Sequence, residues 1–265
     1  MKTPIPPGPK RRLGQNFLCD QNILRKIVEF IRPAPGDFIV EIGAGTGALT
    51  APLAPQVAHL IAVELDADLL PYLQNFQNVT LLHSDIRKVD LCGIRQDGKI
   101  RVTGNLPYYI SSNILTSLIL QRKCIQDMTL MFQEEVAHRI MAPPSDPDYG
   151  YLSVITQYYC NIQKGFRINR NCFVPKPEIE SRILRFEFRA EPVIEFEEFA
   201  SLLEKAFSQR RKKLRNNLLR TLPIPPQSLD RIFDELQLKP DVRAENLSAD
   251  QYEKLILQIR QNVSY

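Results

Sequence analysis

Short apolar runs, four or five residues long, recur through the first half of the chain. Stretches with apolar positions three and four apart separate them. Residues 37–41 (Asp-Phe-Ile-Val-Glu), 60–64, 79–83, 100–103 and 128–132 have the length and near-continuous apolarity of buried strands. Residues 67–76, 112–120 and 134–141 have helical spacing. Strand and helix in alternation predict right-handed crossovers and a mostly parallel sheet covered on both faces. Residues 182–188 alternate as Arg-Ile-Leu-Arg-Phe-Glu-Phe, the period of a half-buried strand. Pro175 and Pro177 exclude a helix over residues 171–177 and predict a loop ahead of that strand.

The pattern changes after Phe188. Residues 196–219 predict one helix, with Glu197 and Glu198 at its start and cations toward its end, the order a helix dipole favours. Residues 228–236 predict a second. Ser248 and Gln251 form a capping-box pattern ahead of a third, which runs to residue 261. No strand pattern appears here. The expected organisation is an α/β domain over residues 1–189 and a small all-α domain over 190–265.

At 265 residues, with 44% apolar and 24% charged positions, the chain has a globular composition. No apolar run approaches the ~18 residues of a membrane helix, and the N-terminus has no secretory apolar stretch. Five cysteines, an odd number without a C-x-x-C pair, argue against a disulfide framework and against zinc. His59, His83 and His138 are scattered, so no metal is expected. A reducing cytoplasm fits best. The net charge of +4 conceals an uneven distribution. Residues 1–12 carry four cations and no acid, residues 205–220 carry seven and no acid, and the remainder is acidic. An acidic body with two basic patches points to a polyanionic partner.

Glu41-Ile-Gly43-Ala-Gly45-Thr-Gly47 ends the first predicted strand and opens a helix. Its G-x-G-x-G spacing differs from the G-x-G-x-x-G of a dinucleotide binder, but its glycines still let a ligand approach the backbone. Glu64 ends the second strand, where an acid commonly accepts from ribose hydroxyls. Asp85 follows the third, placed to accept from an adenine amine. A ligand with ribose and adenine but no matched diphosphate site is better met by S-adenosylmethionine than by NAD. Asn105-Leu-Pro-Tyr108 follows the fourth strand. The Asn105 side-chain oxygen and the Leu106 carbonyl can both accept N–H bonds from an aromatic amine and turn its lone pair toward a methyl donor. Pro107 stiffens the turn, and Tyr108 offers a ring for base stacking.

These motifs, with others in the same order, resemble the ribosomal RNA adenine dimethyltransferases, and most closely their bacterial small-subunit group. The landmarks run from about Leu13 to Tyr252. They include Gly14-Gln-Asn-Phe-Leu18, Val63-Glu-Leu-Asp66, Gln133-Glu-Glu-Val136 and Tyr149-Gly150, then Phe173-Val-Pro-Lys-Pro177 with Ser181. Phe207-Ser-Gln-Arg-Arg-Lys212, Leu214-Arg-Asn216 and Arg243-Ala-Glu-Asn246 complete the series. The resemblance implies a class I, Rossmann-like methyltransferase fold. It implies that Gln15, Asn16 and Leu18 close the cofactor site, with Gly43 and Gly45 near the methionine part, Glu64 on the ribose and Asp85 on the adenine. It places Asn105 where cofactor and target meet, and has Phe173 and Tyr108 sandwich the target adenine.

The implied substrate is a pair of adjacent adenosines in a hairpin near the 3′ end of 16S rRNA, in the small ribosomal subunit. Arg210, Arg211, Lys212, Lys213 and Arg215 then read as RNA contacts, with a structural ion pair left open for Arg210 or Arg211. A monomer is expected. Two positions depart from the common pattern: Tyr109 stands where many relatives carry Asn, and Tyr151 where a basic residue is common. The rival readings are a large-subunit enzyme of the macrolide-resistance type, an assembly factor without catalysis, and a small-molecule methyltransferase. Leu106 and the Arg243–Asn246 landmark disfavour the first, the intact acids the second, and the basic patch the third.

Overall fold

The computed structural model describes residues 8, 10, 13–190 and 192–262. Its strands are β1 (Phe17–Leu18), β2 (Phe38–Ile42), β3 (His59–Glu64), β4 (Val79–His83), β5 (Ile100–Asn105), β6 (Ile125–Gln133), β7 (Cys160–Ile168), β8 (Phe173–Val174) and β9 (Ser181–Phe188). Helices α1 (Gln21–Ile31), α2 (Thr50–Leu53), α3 (Leu70–Leu73), α4 (Leu91–Ile94), α5 (Ser111–Leu120) and α6 (Glu134–Met141) alternate with the first strands. Then come α7 (Tyr151–Tyr159), α8 (Phe196–Ala206), α9 (Leu214–Thr221), α10 (Pro226–Glu235) and α11 (Ala249–Asn262).

Seven strands form one sheet in the order β4-β3-β2-β5-β6-β9-β7. The β2–β3, β3–β4, β2–β5 and β5–β6 pairs are parallel, and β6–β9 is antiparallel. This is the expected mostly parallel α/β sheet. The chain leaves β2 for β3 on one side and returns later to β5 on the other. The strand order therefore reverses between β2 and β5, and crevices at such switch points bind ligands beyond the strand ends.

The chain divides into two compact units: residues 1–137 with 161–188, and residues 138–160 with 189–265. The break at 188/189 falls beside the expected boundary, but residues 138–160 group with the helical unit rather than with the α/β part. The reason is aromatic packing. Tyr158 stacks on Phe199 with ring centroids 4.0 Å apart, and Tyr159 meets Phe196 at 5.7 Å. The Tyr149 hydroxyl donates to Leu247 O, and the Tyr159 hydroxyl to Ile194 O.

Several local expectations needed correction. In place of one helix over 67–76, residues 67–69 form a 3-10 turn and α3 runs only from Leu70 to Leu73, because Pro71 fits only in a first turn and resets the helix start. The long helix expected over 196–219 breaks into α8 and α9 around a turn. Asn217, buried, donates from Nδ2 to the carbonyls of Ala206 and Gln209, which satisfies orphan groups at the α8 C-terminus and pins the turn. The capping box holds: Ser248 Oγ accepts from Gln251 N, and Gln251 Oε1 accepts from Ser248 N. Cys92 and Cys124 are joined as a disulfide, with Cα atoms 5.1 Å apart, contrary to the expectation of none. The Gln121 side chain bridges Leu91 N and Val89 O and draws the two segments together, a contact that a separation of 32 residues does not announce.

The base of the sheet is tied by a buried cation. Arg101 on β5 donates from Nε to both Asp127 oxygens (3.0 and 3.1 Å) and from Nη1 to Asp37 (2.5 Å). It also reaches the carbonyls of Ile31 and Arg32 at the C-terminal end of α1. Removing one partner leaves buried charge uncompensated, so Arg101→Ala is expected to cost about 3–5 kcal/mol in denaturant unfolding. A loss under about 1 kcal/mol would show the network to be dispensable.

Candidate active site

Beyond the ends of β2, β3 and β5 lies a cavity enclosing about 1220 Å³, part of it open solvent. Gln15, Asn16, Leu18, Gly43, Gly45, Glu64, Asp85, Asn105, Leu106, Pro107 and Tyr108 all line it. Phe173 does not. It is 2% exposed, paired through β8 with Leu18 on β1, and packed in the core with Ile168 and Ile183. The expected sandwich around a base is therefore not presented by this structure. The short pairing of β8 with β1 that buries Phe173 has no sequence signal.

Gly43 adopts φ +68°, and a Cβ there would lie 3.3 Å from the Asn105 backbone oxygen. Backbone, not side chain, thus faces the space above β2. Glu64, buried at the end of β3, accepts from Gly45 N at Oε2 and from Asp66 N at Oε1, both at 2.8 Å. These two bonds fix the carboxylate and leave lone pairs for further donors. Asp85 lines the cavity, but Arg87 grips its carboxylate from Nε and Nη2. The Arg87 hydrogen bonds, opposed by burial, hold the Asp85 carboxyl below its ordinary range.

Asn105 donates from Nδ2 to Asn16 O at 3.0 Å. That bond fixes the amide, and its Oδ1 accepts no hydrogen bond among the described residues. The Tyr108 hydroxyl shares a 2.7 Å hydrogen bond with Ser181 Oγ at the start of β9, which holds the ring at the cavity wall. Burial raises the Tyr108 pKa, so the phenol stays neutral. Tyr109 is 60% exposed at the cavity edge.

Sequence reasoning missed four participants. Ser181 and Asp66 are landmarks of the resemblance to which no task was assigned. Arg87 was overlooked beside Asp85. Glu41 was read only as a strand end, yet it is 2% exposed and accepts from Thr50 Oγ1 at 2.7 Å. Burial, reinforced by the charge of Glu64, pushes its carboxyl up to about 8.

The basic patch is not uniform. Arg210 donates to the carbonyls of Pro147 and Tyr149, and Arg215 pairs with Asp230. Both were expected to contact RNA, and both are engaged within their own unit. Arg211, Lys212 and Lys213 are exposed and make no ion pair among the described residues. In the N-terminal patch, Lys10 pairs with Asp66 and Asp68, while Lys2, Arg11 and Arg12 lie outside the described residues. His138, Asp146 and Asp148 bring donor atoms within 4.8 Å of one another on the helical unit, a grouping the sequence did not suggest. His138 Nδ1 lies 3.1 Å from Asp148 Oδ2, and Asp148 N donates to Asp146 Oδ1, so contacts within the group account for it. Among the described residues no helix is long and apolar enough to cross a membrane.

The family model for ribosomal RNA adenine dimethylase matches residues 9–261. The chain belongs to the ribosomal RNA adenine dimethylase family. It is thus a methyltransferase, as its motif order implied. A relative in Nitrosomonas eutropha, named ribosomal RNA small subunit methyltransferase A, is 41% identical over 249 residues, 92% of this chain and 94% of that protein. A relative of the same name in Clostridium botulinum (strain Loch Maree) is 35% identical over 253 residues, 92% of each. Among solved structures, a dimethyladenosine transferase from Plasmodium falciparum superposes with a TM-score of 0.81 at 26% identity. It covers 93% of this chain and 98% of that one.

The Glu41 pKa sets a test by pH. Between an unfolded value near 4.5 and a folded value of about 8, the native state holds the proton more tightly than the unfolded one. Its contribution to stability therefore falls as pH rises through that window, by up to about 1.4 kcal/mol per unit, and levels off above it. In urea unfolding, Glu41→Gln is expected to lose this part of the decline between pH 6 and 8. Parallel curves for variant and wild type would contradict it.

Proposed function

We propose that the protein transfers methyl groups from S-adenosylmethionine to the exocyclic amines of two adjacent adenosines, in a hairpin near the 3′ end of 16S rRNA in the small ribosomal subunit. The observation that carries this reading is the Asn105 amide, held through Nδ2 by Asn16 O at the cavity wall, with its Oδ1 unengaged among the described residues. The residues fit the cofactor. Gly43 offers open backbone, and Glu64 is fixed by two N–H groups with acceptor capacity to spare for ribose hydroxyls. Asp85 serves the adenine amine by sharing its carboxylate with Arg87 or by releasing it.

When bound, S-adenosylmethionine would supply a methyl group already activated by its sulfonium, departing as the neutral thioether, and the methylated amine would lose one proton to water. The protein's own contribution is positioning. The adenine amine is a weak nucleophile because its lone pair is delocalised into the ring. Asn105 Oδ1 and the Leu106 carbonyl accept its two N–H bonds and favour the tetrahedral form, in which the lone pair is available. The Tyr108 ring, braced by Ser181, carries the base, and such stacking is worth roughly 1–3 kcal/mol. Residues 1–137 with 161–188 form the catalytic part in this reading, and residues 138–160 with 189–265 the RNA-facing part. Arg211, Lys212 and Lys213 hold phosphates there, and neither a metal nor a partner subunit has a role. A cytoplasmic site of action follows from the ribosomal substrate. The Leu106 variant of the motif favours the small-subunit group over the large-subunit rival.

The test is transfer of labelled methyl from S-adenosylmethionine into undermethylated small and large subunits at several salt concentrations. Label is expected in small-subunit RNA, with binding that weakens as salt rises. Replacing Arg211, Lys212 and Lys213 together should flatten that salt dependence, because fewer counterions are released. Label in large-subunit RNA alone, or in neither, refutes the reading.

A further inference from the structure

Residues 13–18 line the cavity as a strap, and the two ends of that strap are held differently. At its inner end the hold is largely backbone. Phe17 and Leu18 pair with Val174 and Phe173, Cys19 N donates to Cys172 O, and Asn16 O accepts from Asn105. At its outer end the hold converges on one carboxylate. Lys10 Nζ lies 2.5 Å from Asp66 Oδ1 and 2.6 Å from Asp68 Oδ2. Gln15 Nε2 donates to Asp66 Oδ2 at 2.8 Å, and Gln15 Oε1 accepts from Lys10 N at 2.8 Å. Lys10 and Gln15 are thereby locked to each other as well as to Asp66.

Asp66 itself is 4% exposed, and its oxygens are met by Lys10, Gln15 and the Asp68 backbone N–H rather than by bulk water. A desolvated carboxylate holds its partners firmly, since losing them strands a buried charge. Asp66 N, in turn, donates to Glu64 Oε1. One residue therefore touches both the strap and the acid proposed for the ribose. Lys10, by contrast, is partly exposed, so its ion pair is open to screening by salt. The outer end is thus the salt-sensitive one.

We propose that Asp66 is a positioning residue that, through Lys10 and Gln15, latches the strap of residues 13–18 across the cofactor pocket, and that release of this latch sets the rate at which the cofactor leaves. The inference rests on the reading that the cavity takes S-adenosylmethionine. It assigns Lys10 to cofactor retention and withdraws it from RNA contact. Burial alone would raise the Asp66 carboxyl, but the hydrogen bonds from Lys10 and Gln15 outweigh it and hold the group below its ordinary range. The latch accordingly stays charged at neutral pH.

The experiment measures S-adenosylmethionine dissociation by stopped-flow displacement, together with hydrogen exchange of the amides of residues 13–18 in the free protein. In Lys10→Met the cofactor is expected to leave roughly 3–10-fold faster, the strap amides to exchange faster, and the wild type's acceleration by salt to disappear. Lys10→Arg should restore wild-type behaviour. Asp66→Asn keeps an acceptor for Gln15 but loses the charge, and combining it with Lys10→Met should add little to either change alone. Dissociation and exchange in Lys10→Met that match wild type at every salt concentration overturn the latch while leaving cofactor binding intact. Failure of the wild-type protein to bind S-adenosylmethionine overturns the underlying reading and the latch with it.

Discussion

Everything at the site depends on how closely the β2 and β5 backbones meet. Gly104 pairs with Ile42, and a Cβ at Gly104 would lie 2.5 Å from the Ile42 carbonyl oxygen. No side chain fits there. That approach places the glycine turn after β2 directly beside the Asn105–Tyr108 turn after β5. The distance from Gly43 to Asn105 is fixed by sheet geometry rather than by flexible side chains. A positioning mechanism needs this, because methyl transfer to a weak nucleophile gains most from prepaid orientation. Arg101, buried at the other end of the same strands, resists any slippage between α1 and the sheet.

The acids around the cavity take separate tasks because their surroundings differ. Glu41 is buried with a single hydroxyl donor and keeps its proton near neutrality. Glu64, two backbone donors to its credit, is fixed and still able to accept. Asp66 and Asp85 are each met by a cation, Lys10 and Arg87, and both are held below their ordinary pKa. A net charge of +4 conveys none of this. Nor does it show that Lys10, Arg210 and Arg215 are engaged within the fold while Arg211, Lys212 and Lys213 face solvent.

What could be read in advance was whatever is local. The strand runs at 37–41 and 60–64 match β2 and β3 within one residue, because continuous apolar runs are the mark of strands buried on both faces, and 79–83 matches β4, a half-buried edge strand. The motifs named in advance the glycines, acids and Asn105 turn that line the cavity. Elements made by tertiary pairing stayed hidden. The strands β1 and β8 are two residues each and exist only through one another, and β7 owes its place to β9 at the sheet edge. The turn between α8 and α9 could not be read because helical spacing continues across it. Tertiary contacts hold the break: Asn217 folds back onto Ala206 and Gln209, and Leu214 N donates to Val242 O. Phe173 was assigned by resemblance to a base sandwich, and the pairing of β8 with β1 instead buries it.

The central claim is that the Asn105 amide positions the amine without being needed to hold the cofactor. Its most direct test is Asn105→Ala, with S-adenosylmethionine binding by calorimetry set beside single-turnover methyl transfer. The account predicts cofactor affinity largely kept and transfer slowed by about 10²-fold or more, the usual loss when one preorganised polar group is removed from a reacting centre. Transfer at the wild-type rate would contradict it.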